Sequence, residues 1–166
     1  MLLPRLIRTI SDHWQEIAAQ AIRRIRQEKN LTELGKYPEA ELRERARAIL
    51  QHLGTVLTSK EGEIAECYEH LGRTRFEEGV PLHEVVRALQ IIKSSMIEYG
   101  RRQNTTGPLD IYAEEELELA ADRLFDLMIY HVICGYERAL AESPGRFGCA
   151  KPKPRKEPEF LGPSPF

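Results

Sequence analysis

The chain has 166 residues, 42% of them hydrophobic and 30% charged, with 24 Lys plus Arg against 26 Asp plus Glu. That is one domain of ordinary size, with enough apolar content for a buried core. The formal net charge of −2 argues against a dedicated nucleic-acid binder, which carries a basic excess.

Three cysteines, Cys67, Cys134 and Cys149, form no C-x-x-C pair, so a disulfide framework or cysteine zinc site is not expected and a reducing cytoplasm fits. No apolar run reaches the roughly 18 residues of a membrane span, and charge interrupts the opening Met1–Arg5 too early for a signal peptide. The expectation is a soluble, cytoplasmic protein without nucleic-acid or membrane partners.

The periodicity predicts an all-α domain of five long helices. The first runs over 5–29, with Leu6, Ile10, Trp14, Ile17, Ala18, Ala21 and Ile25 on one stripe. A loop through Asn30, Gly35 and Tyr37-Pro38 leads to a second helix over 39–57, with Leu42, Ala46, Ile49, Leu50 and Leu53 facing inward. Its charged residues, Glu41, Arg45 and Arg47 among them, read as a solvated outer face.

Thr58-Ser59-Lys60-Glu61 has the form of a capping box. The third helix, 59–78, is the most polar, with Ile64, Cys67, Tyr68, Leu71 and Phe76 as its expected buried residues. Gly79 is placed to stop it in a left-handed conformation, and Val80-Pro81 restarts the chain at once, which demands a sharp corner. The fourth helix, 82–102, puts Val85, Val86, Leu89, Ile92, Met96 and Tyr99 on one face.

Asn104–Pro108 is the clearest internal turn. Asp110 is the expected cap of a fifth helix over 111–142, apolar around most of its girth and therefore buried on several sides. Residues 1–144 form the helical domain, and 145–166 a disordered or extended proline-rich tail. In that tail Arg146, Lys151, Lys153, Arg155 and Lys156 outnumber Glu157 and Glu159.

No catalytic constellation assembles from the motifs. There is no nucleophile elbow. Cys134 lies in the apolar stretch Val132–Gly135, where a cysteine behaves as a small core residue. No two of the five histidines stand three or four residues apart, and the Glu-x-x-His pairs of di-iron bundles are missing because Cys67 stands three before His70. No glycine-rich phosphate loop is present. His131, which shares a face with Leu124 and Met128, is the best candidate for a haem ligand, ahead of His83 at the start of the fourth helix.

Three segments carry a resemblance. They are His13-Trp14-Gln15-Glu16-Ile17, the run Pro38–Arg45 leading into Ile49-Leu50, and Arg75-Phe76-Glu77-Glu78-Gly79-Val80-Pro81-Leu82 continuing through His83-Glu84 to Leu89. In order and spacing the chain resembles, over about residues 5–142, the N-terminal sensor domain of RsbT co-antagonist proteins of the bacterial stressosome. The Arg75–Leu82 corner is its most specific part.

The resemblance implies a globin-like helical domain that usually lacks haem, pairs as a dimer, and senses or relays a signal. In that family a STAS domain with phosphorylatable Ser/Thr sites commonly follows. Here the proline-rich tail stands in that place, so partner-switching phosphorylation is not carried over.

The resulting expectation is a non-enzymatic signalling domain that forms a homodimer and binds a signalling protein partner or a small ligand. Its candidate pocket residues are Trp14, Arg75, Met96, Tyr99, Met128 and His131. Trp14 also reads as a core or dimer anchor, and Arg75 as a neutraliser of the carbonyl end of its own helix. No cofactor is expected. The alternative is a haem-binding gas or redox sensor with His131 as ligand.

Overall fold

The computed structural model describes residues 3–58, 61–103 and 108–143. These form α1 (Leu3–Asp12), α2 (Trp14–Gln27), a 3₁₀ turn (Leu34–Lys36), α3 (Glu39–Thr58), α4 (Glu61–Glu77), α5 (Leu82–Gln103) and α6 (Pro108–Glu142). No strand occurs among the described residues, so the domain is all-α. The expected tail, Ser59-Lys60 of the capping box and residues 104–107 of the expected turn lie outside the described residues.

The expected first helix is in fact two, α1 and α2, separated at His13, whose backbone takes φ −105° and ψ 25°. The local residues favour the break. Ser11, Asp12 and His13 are poor helix formers, and the Thr9 hydroxyl donates back to the Arg5 carbonyl at 3.0 Å, a bond that bends helices. The expected fifth helix starts earlier than foreseen, at Pro108, so Asp110 sits inside its first turn instead of capping it. Proline suits an opening position because the N–H it lacks has no intrahelical partner there.

The helices pack as a bundle. α6 is the longest, 35 residues, or about 52 Å at 1.5 Å per residue. It packs most extensively on α4 and also on α5, while α2 bridges α3 and α5 and α1 lies on α3. Ile10, Ile17, Leu50, Met96, Phe125, Met128 and Val132, drawn from α1, α2, α3, α5 and α6, are fully buried together.

Two glycines set the α4–α6 contact. A Cβ on Gly72 would lie 2.0 Å from the Val132 carbonyl oxygen, and one on Gly135 would lie 2.0 Å from the Glu69 carbonyl oxygen. Only a residue without a side chain allows backbone to meet backbone here.

The corner after α4 closes as foreseen. Gly79 takes φ +75°. The Val80 N–H donates to the Arg75 carbonyl and the Gly79 N–H to the Phe76 carbonyl, both at 3.0 Å, the paired bonds of a Schellman motif. From α6, the Tyr136 hydroxyl donates to the Val80 carbonyl at 2.9 Å, and its ring meets the Phe76 ring edge-on at 5.3 Å.

Two polar ties hold the α5 side. Glu84 is 1% exposed. Its carboxylate accepts the N–H groups of Leu34 at 2.8 Å and Glu33 at 3.1 Å and the Thr32 hydroxyl at 3.3 Å. It thereby pins the 3₁₀ turn to the start of α5. Further along, Arg24 of α2 donates to both carboxylate oxygens of Glu98 of α5 at 2.6 Å, and Gln20 adds a bond at 2.8 Å.

Candidate functional site

α3 is packed on α1 and α2, and α4 on α6. Between α3 and α4 lies an open groove of about 680 Å³. Its apolar walls are Ala48 and Ile49 from α3 and Ile64, Cys67, Tyr68 and Leu71 from α4. Cys67, expected in the core, is exposed on this wall. Burial pushes the Tyr68 hydroxyl far above its ordinary range.

Beneath the groove is an inner apolar space of about 50 Å³, floored by Ile22, Ile25, Val85, Leu89 and Ile92. Arg45, Ile49, Leu71 and Arg75 line both spaces, so they form the throat between them.

The throat is polar on one side. Arg45 donates to Glu41 at 2.6 Å and to Glu78 at 3.0 Å, and its guanidinium lies 4.4 Å from the centre of the Tyr37 ring. Arg75 donates to the same Glu78 oxygen at 2.8 Å. Two guanidiniums therefore share one carboxylate.

Burial alone would raise the Glu78 carboxyl, but the hydrogen bonds from Arg45 and Arg75 hold it below its ordinary value. Burial would lower the Arg45 guanidinium, but Glu41 and Glu78 raise it on balance. Arg75 differs: burial, together with repulsion from Arg45, leaves it lowered despite Glu78. It is the less compensated cation of the two.

The six expected pocket residues do not converge on one site. Arg75 lines the groove and its throat. Its guanidinium pairs with Glu78, one turn on, where a role at its own helix carbonyls was also expected. Met96 is fully buried and edges a separate space of about 10 Å³ beside Leu53, Leu117 and Leu124. Met128 is fully buried in the core.

Tyr99 is buried, with its ring 5.8 Å from that of His13. Trp14 packs partly buried against the core, under the Arg47 guanidinium at 5.5 Å. His131 lies at the α4–α6 seam. Its Nδ1 is 3.6 Å from Glu69 Oε1, and both ring nitrogens are buried without a hydrogen-bond partner among the described residues.

Sequence reading missed Arg45, Ile49, Leu71 and Glu78 as site residues. Arg45 looked like a member of a solvated stripe, since Glu41 stands four residues before it. The available signal was the number of charges near the Gly79 corner, which exceeds what capping one helix end needs. His52 and His70 stand on the two walls of the groove, both exposed, and His52 Nδ1 donates to the Ala48 carbonyl at 2.7 Å. Among the described residues no group of three His, Cys, Asp or Glu side chains is placed to hold a metal ion. Nor is any of their helices long and apolar enough to cross a membrane.

No curated protein and no solved structure matches the chain. A family model does, that of the RsbT co-antagonist protein rsbRD N-terminal domain, over residues 15–146. The match spans α2 through α6, taking in both walls of the groove and the Gly79 corner. The chain therefore belongs to the family of RsbT co-antagonist rsbRD N-terminal domains.

Proposed function

We propose that this domain is a non-catalytic signalling module, working as a homodimer, whose α3–α4 groove receives the ligand or partner segment that sets its state. The groove itself carries the reading. It is large, apolar-walled and open, and it ends on partly buried charges, the combination expected of a recognition site.

The dimer is supported by α6. Tyr112, Leu119, Tyr130 and Leu140 stand exposed along it, at 68%, 54%, 61% and 41%. The first three recur at spacings of 7 and 11 and so share one helix face, and such a face can pair with its own copy by isologous contact.

Two experiments test the reading. Sedimentation should give a species of twice the 19.1 kDa chain mass, and a Leu119→Glu, Tyr130→Glu double variant should give a monomer of unchanged helicity. In cells that encode the protein, Leu71→Trp, which fills the groove, should fix the stress-induced transcriptional output at one level while the dimer persists. An output that still responds to stress would refute the groove as the sensing site.

The second reading, a haem sensor, is favoured by one observation: His52 and His70 face one another's walls across a groove of about 680 Å³. His131, the expected ligand, lines no described cavity of such size. Haem titration decides the matter. A Soret band lost in His52→Ala or His70→Ala would establish this reading, and no band would end it.

A further inference from the structure

Building on the groove as the binding site, we propose that its occupant is an amphipathic organic carboxylate, a single apolar chain whose head group sits on Arg75. Three observations carry this.

The walls that receive the chain, Ile49, Ile64, Tyr68 and Leu71, are apolar and continuous with the throat. Arg75 uses only Nη1, on Glu78, so Nε and Nη2 have no hydrogen-bond partner among the described residues. A guanidinium presents its donors as a planar fork that a carboxylate matches with two parallel bonds. Finally, the side chain of Arg75 is only 14% exposed. An arriving anion would therefore compensate a cation that burial disfavours.

The carboxylates on the rim do not reverse this polarity at the Arg75 end. Glu41 is bound to Arg45 and Glu78 to both Arg45 and Arg75, so these four charges balance, and Glu44 is bound to Arg47. Glu63 stands twelve positions before Arg75 on α4, or about 18 Å away along the axis. A chain with its head on Arg75 thus runs toward Glu63, where a second negative charge on the ligand would be repelled. The site favours a monocarboxylate over a dicarboxylate.

The test uses the full chain with decanoate, and decyltrimethylammonium as the cationic counterpart. Alkylation of Cys67, on the groove wall, is followed by peptide mass mapping, and affinity by calorimetry. Decanoate should slow Cys67 alkylation. Arg75→Gln should weaken decanoate about tenfold or more, while Arg43→Gln, whose partner Glu39 lies outside the groove lining, leaves it unchanged.

Leu71→Trp should abolish protection with Arg75 intact, which keeps the test valid if Arg75→Gln folds poorly. Equal protection by the cation, insensitive to Arg75, would overturn the carboxylate assignment and leave the groove reading standing. Protection by neither probe, or decanoate binding that leaves Cys67 reactive, would also overturn it. The cellular Leu71→Trp experiment judges the groove reading separately.

Discussion

The two sides of α4 present opposite solutions to helix packing. Toward α6, Gly72 meets the backbone at Val132, and Gly135 of α6 meets the backbone at Glu69. Toward α3, large side chains such as Tyr68 and Leu71 border open space of about 680 Å³. The same helix is closed on one face and unfilled on the other. Where side chains vanish, the helices touch; where they are bulky and flanked by charge, the helices stand apart. Stability should therefore concentrate on the α6 side, and tolerance to substitution on the α3 side.

The sharpest way to break that contrast is to give the seam a side chain. Gly135→Ala or Gly72→Ala forces a methyl into a backbone carbonyl and should cost about 3 kcal/mol or more. Urea denaturation would measure it; a loss below about 1 kcal/mol would mean that the helices can part cheaply.

Next is the Glu84 tie, which holds the turn bearing Leu34 beneath the throat. Glu84→Ala strips the N–H groups of Leu34 and Glu33 of their acceptor and should cost about 2 kcal/mol. Hydrogen exchange should accelerate first over 32–36.

A smaller effect is pH-linked. The hydrogen bonds from Arg24 hold the Glu98 carboxyl below its ordinary 4.5, against burial, which would raise it. A folded value below the unfolded one gives stability that is complete above about 4.5 and lost as pH falls through the folded value. Arg24→Met should thus be less stable than the parent at pH 7 by under about 1 kcal/mol. The difference should vanish on acidification, as followed by circular dichroism.

Smallest of all should be Ile49→Phe in the groove wall. The added ring has space to enter, so the denaturation midpoint should move by less than the equivalent of about 1 kcal/mol.

The helices were legible because apolar spacing and glycine–proline punctuation are local signals. The second to fifth expected helices correspond to α3 through α6, and the corner at Gly79-Val80-Pro81 closes by the predicted left-handed turn. The break at His13 was hidden because its apolar stripe continues in phase across it, from Ile10 to Trp14 and Ile17.

The groove was not legible, because a cavity is set by which helices fail to meet. No periodicity reports that. Cys67 and Leu71 carry the pattern of a buried stripe, yet they face a space that no described helix fills. Arg75 was visible through its position beside the corner. Its partnership with Arg45 joins residues thirty positions apart on two helices, and only the fold brings them together.

The glycine seam has a mechanical consequence. Ordinary helix pairs are cushioned by side chains that can switch rotamer and absorb small displacements. At Gly72 and Gly135 no such cushion exists, so any displacement of α4 at the seam meets the backbone of α6 directly.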